Sequence, residues 1–121
     1  MDFETLANLT AVAAFLLAMG WLLAGSVMIK RWGREPSEIA LVIGRRIGGV
    51  YLGIALLFFL SRSTNSTELV DLLSTTGLFI NALLASLGIF EFIKHRVGPA
   101  IFISVLVEIF LLLGFGRLVL L

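Results

Sequence analysis

"LVEIFLLLGF", residues 106–115, places one carboxylate, Glu108, inside an otherwise apolar run. With leucine at 108 it would read as a helix facing lipid throughout. Composition decides how to read it. The chain has 121 residues, 60% of them hydrophobic, and a mean hydropathy of +1.10. A soluble domain of this size needs more polar surface than that. The charges are few and cluster between long uncharged runs, the pattern of an integral membrane protein.

The quoted run belongs to an apolar stretch over about 99–118, and three others precede it at about 11–29, 39–60 and 69–90. Each is close to the ~20 residues that a ~30 Å hydrocarbon layer requires. The start, "MDFETLANLT", is acidic and lacks the basic opening of a secretory signal, so the first run is expected to remain as a span. Between the runs lie "KRWGREPSE" (30–38), "SRSTNSTELVD" (61–71) and "EFIKHRVGP" (91–99). Pro36 suits the first turn of the second helix, with Ser37 or Glu35 as a cap. Gly98 and Pro99 mark the turn into the fourth. Short connections make neighbouring helices antiparallel. The expected fold is therefore all-α: a single-domain integral membrane up-down four-helix bundle.

Basic residues set the expected orientation. Lys30, Arg31, Arg34, Arg45, Arg46, Lys94 and Arg96 lie on one side, seven of nine in all, leaving Arg62 and Arg117 on the other. The positive-inside rule then puts the N and C termini and the 61–71 loop outside the cytoplasm. Trp32, beside Lys30 and Arg31, fits an interfacial anchor. Trp21 lies deeper and is expected to pack against helices or lipid.

Lipid is as apolar as leucine, so small residues that let backbones approach must hold such helices together. In the second span a turn of 100° per residue puts Gly44, Gly48 and Ala55 on one face with Tyr51 beside them. Gly49 and Gly53 fall on the opposite face with Arg46. The third span carries Gly77, Asn81, Ala85 and Gly88 along one stripe. These faces predict packing within the bundle, with a homo-oligomer interface as the alternative.

Counting ~1.5 Å per residue puts Glu108 about 16 Å from Val97, Asn81 about 15 Å from Glu91 and Tyr51 about 18 Å from Ile39. Three polar side chains on three helices thus share one depth, while Arg46 lies only about 10 Å in. An unpaired charge at that depth costs roughly 2.5–3.5 kcal/mol on insertion scales. Glu108 has two ways out. Protonated, it donates a hydrogen bond to Asn81, Tyr51 or Ser104, one turn away. Ionised, it pairs with Arg46 or Arg45. Both turn it into the bundle. The cluster serves either to fasten helices or as a polar, proton-linked site. Arg45 and Arg46 also read as plain topology signal and interface anchor.

Other chemistry is excluded. With no cysteine there is no thiolate nucleophile, iron–sulfur cluster or thiolate metal site. His95, the lone histidine, reads as a solvated loop residue that cannot by itself build a metal or haem site. "GRRIGG" (44–49) lacks the Gly-Lys-Ser/Thr ending of a phosphate loop and has no strand before it. A net charge of +1 gives no case for nucleic acid. No metal or cofactor is expected.

"RRIGGVYLGIALLFFLSR" (45–62), a third span, then the Pro-led "GPAIFISVLVEIFLLLGF" (98–115) with its internal acid resemble the small DoxX-like four-helix bacterial membrane proteins, in particular those known only as a domain of unknown function. The resemblance covers about three of the four spans. It places Arg46, Gly48, Gly49, Tyr51, Gly53, Pro99 and Glu108 at matching positions. Where the pattern would put an arginine in the third span, "LASLGIFEF" (84–92) stands instead. The resemblance implies a bundle in a bacterial inner membrane and no settled activity.

Three functions follow. The first is a non-enzymatic bundle that binds a lipid or other hydrophobic small molecule, or serves as an accessory subunit, with Glu108, Asn81, Tyr51, Ser104, Arg46 and Arg45 as the polar core. The second is an oligomeric transporter or channel, proton-linked through Glu108. The third, an intramembrane enzyme, ranks last because nothing nominates a nucleophile.

Overall fold

The computed structural model describes residues 2–120, and among these the chain forms five helices and no strand. They are α1 (Phe3–Leu23), α2 (Gly25–Arg31), α3 (Glu38–Ser61), α4 (Thr67–Ile93) and α5 (Ile101–Leu120). By length and composition α1, α3, α4 and α5 are each able to cross a membrane.

The first apolar run behaves differently from its expectation over 11–29. The helix already begins at Phe3, because Asp2 is extended and its Oδ1 accepts the Thr5 N–H at 2.9 Å, with Glu4 in the first turn. Both acids suit a helix N-terminus. The run then breaks at Ala24 (φ −140°, ψ 42°), just before Gly25 and Ser26, a small-residue pair of the kind found at sharp kinks. α2 continues from there for seven residues in a new direction.

The other caps follow ordinary chemistry. Ser37 Oγ accepts the Ala40 N–H and Ser66 Oγ accepts the Leu69 N–H, both at 3.2 Å. Pro36 therefore precedes the cap of α3 instead of occupying its first turn. α4 closes with paired turns: the Arg96 N–H reaches the Glu91 carbonyl and the His95 N–H the Phe92 carbonyl, each at 3.0 Å. That pattern needs a left-handed residue, usually glycine, and here it is His95 at φ 58°.

The long helices pack as two antiparallel pairs, α1 with α3 and α4 with α5. Small residues make both contacts. A Cβ on Gly44 would lie 2.5 Å from the Trp21 ring, and one on Gly48 would lie 3.2 Å from the Ala18 carbonyl. On α4, a Cβ at Gly77 would meet Phe115 at 2.9 Å and one at Gly88 would meet Val105 at 2.8 Å. Gly49 and Gly53 face open space, as the opposite side of α3 should.

The two ends of the molecule are built differently. At the N-terminal end one cluster joins all four long helices: Phe3, Leu6, Ala7 and Ala11 of α1, Phe58 of α3, Leu73 of α4, and Leu111 and Phe115 of α5. Leu6 sits directly on Gly114, which brings α1 against α5. At the other end are two separate clusters, one around Trp21, Met28 and Ile29 and one around Ala85, Ile101 and Val105. Trp32 packs against both, and its ring meets Trp21 edge-on at 5.7 Å. It is thus a packing residue as well as a neighbour of the basic run.

The two linkers at that end are tied together. Arg34 Nε donates to the Arg96 carbonyl at 2.7 Å and its Nη2 donates to the His95 carbonyl at 2.9 Å. The Gly98 N–H donates to the Trp32 carbonyl at 2.7 Å. Arg96 in turn makes a two-pronged ion pair with Glu91, at 2.6 and 3.0 Å.

Candidate functional site

Between the one joined cluster and the two split ones the helix pairs stand apart and enclose a cavity of about 310 Å³. All four long helices line it. α1 contributes Thr10, α3 Tyr51, α4 Asn81, and α5 Ser104 and Glu108, set among Leu17, Ile54, Phe58, Leu84 and Leu111. Leu16 of α1 and Ile103 and Val107 of α5 also line it yet are exposed, so the cavity opens sideways between α1 and α5.

The convergence follows from local geometry. Ser104 and Glu108 are four residues apart on α5, hence on one face. Asn81 lies on the small-residue stripe of α4 between Gly77 and Ala85, which turns it inward. Tyr51 follows Gly44 and Gly48 around α3 and is half-buried.

These polar groups are short of partners. Asn81 is buried, and its Nδ2 donates to the Gly77 carbonyl of its own helix at 2.8 Å, leaving the amide oxygen unused. Thr10 Oγ1 is buried with no hydrogen bond. Among the described residues no hydrogen bond reaches Tyr51 Oη, Ser104 Oγ or the Glu108 carboxyl, and the one ion pair is Glu91–Arg96. Thr10 Oγ1 is the buried, unpartnered atom of this set, a state it shares with Trp32 Nε1 and Ser74 Oγ outside the cavity, whereas Tyr51, Ser104 and Glu108 are half-buried groups open to the cavity.

Arg45 and Arg46 do not join the cluster. Both are exposed, and Arg46 lines a shallow hollow with Ile43, Ile47 and Val50 on the outside of α3. They sit on the side away from Tyr51, so pairing of either with Glu108 is replaced by separation across the helix. The cation at the cavity is instead Arg31, exposed at its edge. The break at Ala24 redirects α2 and brings Arg31 there. In the sequence Arg31 is one of a basic run, and only recognition of that break would single it out.

A second concavity, a groove of about 700 Å³, runs along the outer side of the α1–α3 pair past Asn8, Phe15, Gly49, Gly53 and Phe59. It is almost wholly apolar.

Compared with family models, with curated proteins and with solved structures, the chain matches none of them.

Proposed function

We propose that the protein is a non-enzymatic four-helix bundle of a bacterial inner membrane that holds a lipid or other hydrophobic small molecule between its two helix pairs. The termini lie outside the cytoplasm, and the linkers carrying Arg34 and Arg96 lie inside. One observation carries the reading: a largely apolar cavity of about 310 Å³, open sideways, with an unpartnered hydroxyl, amide oxygen and carboxyl converging on it. Ligand sites typically have such an apolar lining with a few placed polar groups, in volumes of roughly 300–1,000 Å³. A sideways opening suits a ligand that arrives from the acyl chains. Asn81, Tyr51, Ser104 and Glu108 would orient its polar end. The DoxX-like resemblance is the sequence side of the same reading.

Native mass spectrometry in mild detergent tests it. The expected spectrum holds a co-purified hydrophobic molecule that is lost when the cavity is filled by Asn81→Leu. A ligand-free spectrum for the unaltered protein rejects the reading. The orientation is tested separately, because the chain has no cysteine of its own. A single cysteine at Asn65 should be labelled from outside intact spheroplasts, and one at Lys94 only after lysis.

The outer groove favours a second reading, an oligomeric transporter linked to protons through Glu108. Gly49 and Gly53 leave α3 open to a second copy, and one four-helix chain is too thin to enclose a wetted path. Proton flux in liposomes that survives Glu108→Gln eliminates this reading.

A further inference from the structure

The cavity contains one acid and no cation facing it across the centre. α1 and α4 bring only neutral polar groups, Thr10 and Asn81; α3 brings Tyr51; α5 brings Glu108 itself; and Arg31 of α2 stands exposed at the edge without forming an ion pair. The same cavity holds an unused amide oxygen on Asn81 and the aromatic ring of Tyr51. Thr10, less than a tenth exposed, adds a hydroxyl with no partner. Acceptor oxygens, an aromatic ring and an acid without a counter-ion in one cavity are groups that a cation binds. The rest of the wall is aliphatic and aromatic, which suits an apolar body. We propose that the ligand of this cavity is a lipophilic cation, an apolar molecule with a single positive centre that sits against Glu108, Asn81 and Tyr51. This rests on the ligand-binding reading above and adds the sign of the ligand's charge.

The chemistry separates this from other amphiphiles. An anionic head would find only Arg31, at the rim, and would bring its charge towards Glu108 if its body entered. A neutral ligand would draw no charge attraction from Glu108. Protons compete with the cation for the same carboxyl, so cation binding should weaken as the medium is acidified. Tyr51 and Arg31 are the other titratable groups that face the cavity.

Three probes of similar shape and different charge test the proposal on the full chain in detergent, by equilibrium dialysis: tetraphenylphosphonium, neutral triphenylphosphine oxide and tetraphenylborate. The unaltered protein should bind the phosphonium at least about tenfold tighter than the oxide, as attraction at partly buried sites allows. Glu108→Gln should erase that preference, bringing phosphonium and oxide to within about twofold of each other. Glu108→Asp, which keeps the charge, should retain the preference and guards against a glutamine variant that fails to fold. Oxide bound as well as phosphonium, or borate bound best, overturns the cation proposal and leaves the cavity reading intact. Failure of all three probes to bind the unaltered protein overturns both.

Discussion

The two ends of this molecule use the same kinds of residue in opposite ways. At the N-terminal end Leu6, Phe58, Leu73 and Phe115 come from four helices and meet in one cluster, with Leu6 and Phe115 wholly buried. At the Trp32 end the same helices form two clusters, and the join is made by one tryptophan and by linker hydrogen bonds. The cavity lies where one arrangement gives way to the other. Close packing at one end leaves the other free to stand open, so the pairs hold together without filling the space that Glu108 faces.

If this division of labour is right, the largest effect belongs to the joined cluster. Phe115 is fully buried against Gly77 and 5.8 Å from the Phe58 ring. For helices able to cross a membrane, as these are by length and composition, the transfer part of a truncation largely cancels when the unfolded reference is also in lipid. The void remains, so Phe115→Ala should cost roughly 2–3 kcal/mol, towards the low end for buried phenylalanine. Reversible unfolding in mixed micelles measures it. A loss as small as that of an exposed phenylalanine such as Phe110 would mean that the helix pairs are held mainly elsewhere.

The next largest contrast lies on two faces of a single helix. Gly44→Ala must displace the Trp21 ring, at a cost of roughly 1–3 kcal/mol. Gly49→Ala meets nothing within 4 Å. It should be neutral, or stabilise α3 by up to about 1 kcal/mol through helix propensity. Thermal inactivation of the two variants side by side decides between them. A costly Gly49→Ala would instead reveal a second copy seated in the outer groove.

That contrast was legible in the sequence, because a period of 100° per residue separates Gly44 and Gly48 from Gly49 and Gly53 without any structure. Counting depth likewise put Glu108, Asn81 and Tyr51 at one level, and the same cavity receives all three. The start and the break of α1 were hidden. An all-apolar helix carries no periodic signal, so its ends depend on the Asp2 cap and the backbone at Ala24, neither of which hydropathy registers. Arg31 was lost for the same reason: its place at the cavity depends on that break. Arg45 and Arg46 were within reach by depth, but facing decides contact. The 100° rule that sorted the glycines also put Arg46 on the far side of α3.

At the split end the expected effects are smaller. Arg34 is exposed, and its two hydrogen bonds to the carbonyls of His95 and Arg96 compete with water. Arg34→Ala should therefore cost only about 1 kcal/mol. Its signature is local: faster amide exchange at Gly98 and a shift in tryptophan emission as Trp32 loosens, with exchange around Leu6 and Phe115 unchanged. Equal acceleration at both ends would contradict the idea that they are stabilised independently.

The smallest effect lies at the first turn of α1 and is read by pH. Hydrogen bonding from the Thr5 side chain, and then from its backbone N–H, holds the Asp2 carboxyl below its ordinary value. A group whose value is lowered on folding stabilises the fold above its unfolded value, and that contribution fades as pH falls through the folded one. The cap should thus be intact at neutral pH and should fade below about pH 4. The exchange rate of the Thr5 amide should rise there, while that of the Ala40 amide, capped by the uncharged Ser37, should show no such added rise. Asp2→Ser should abolish the pH dependence and keep the helix start. If the added rise persists in that variant, another titrating group governs the N-terminal end. The joined cluster would then owe its order to more than the packing of Leu6 on Gly114.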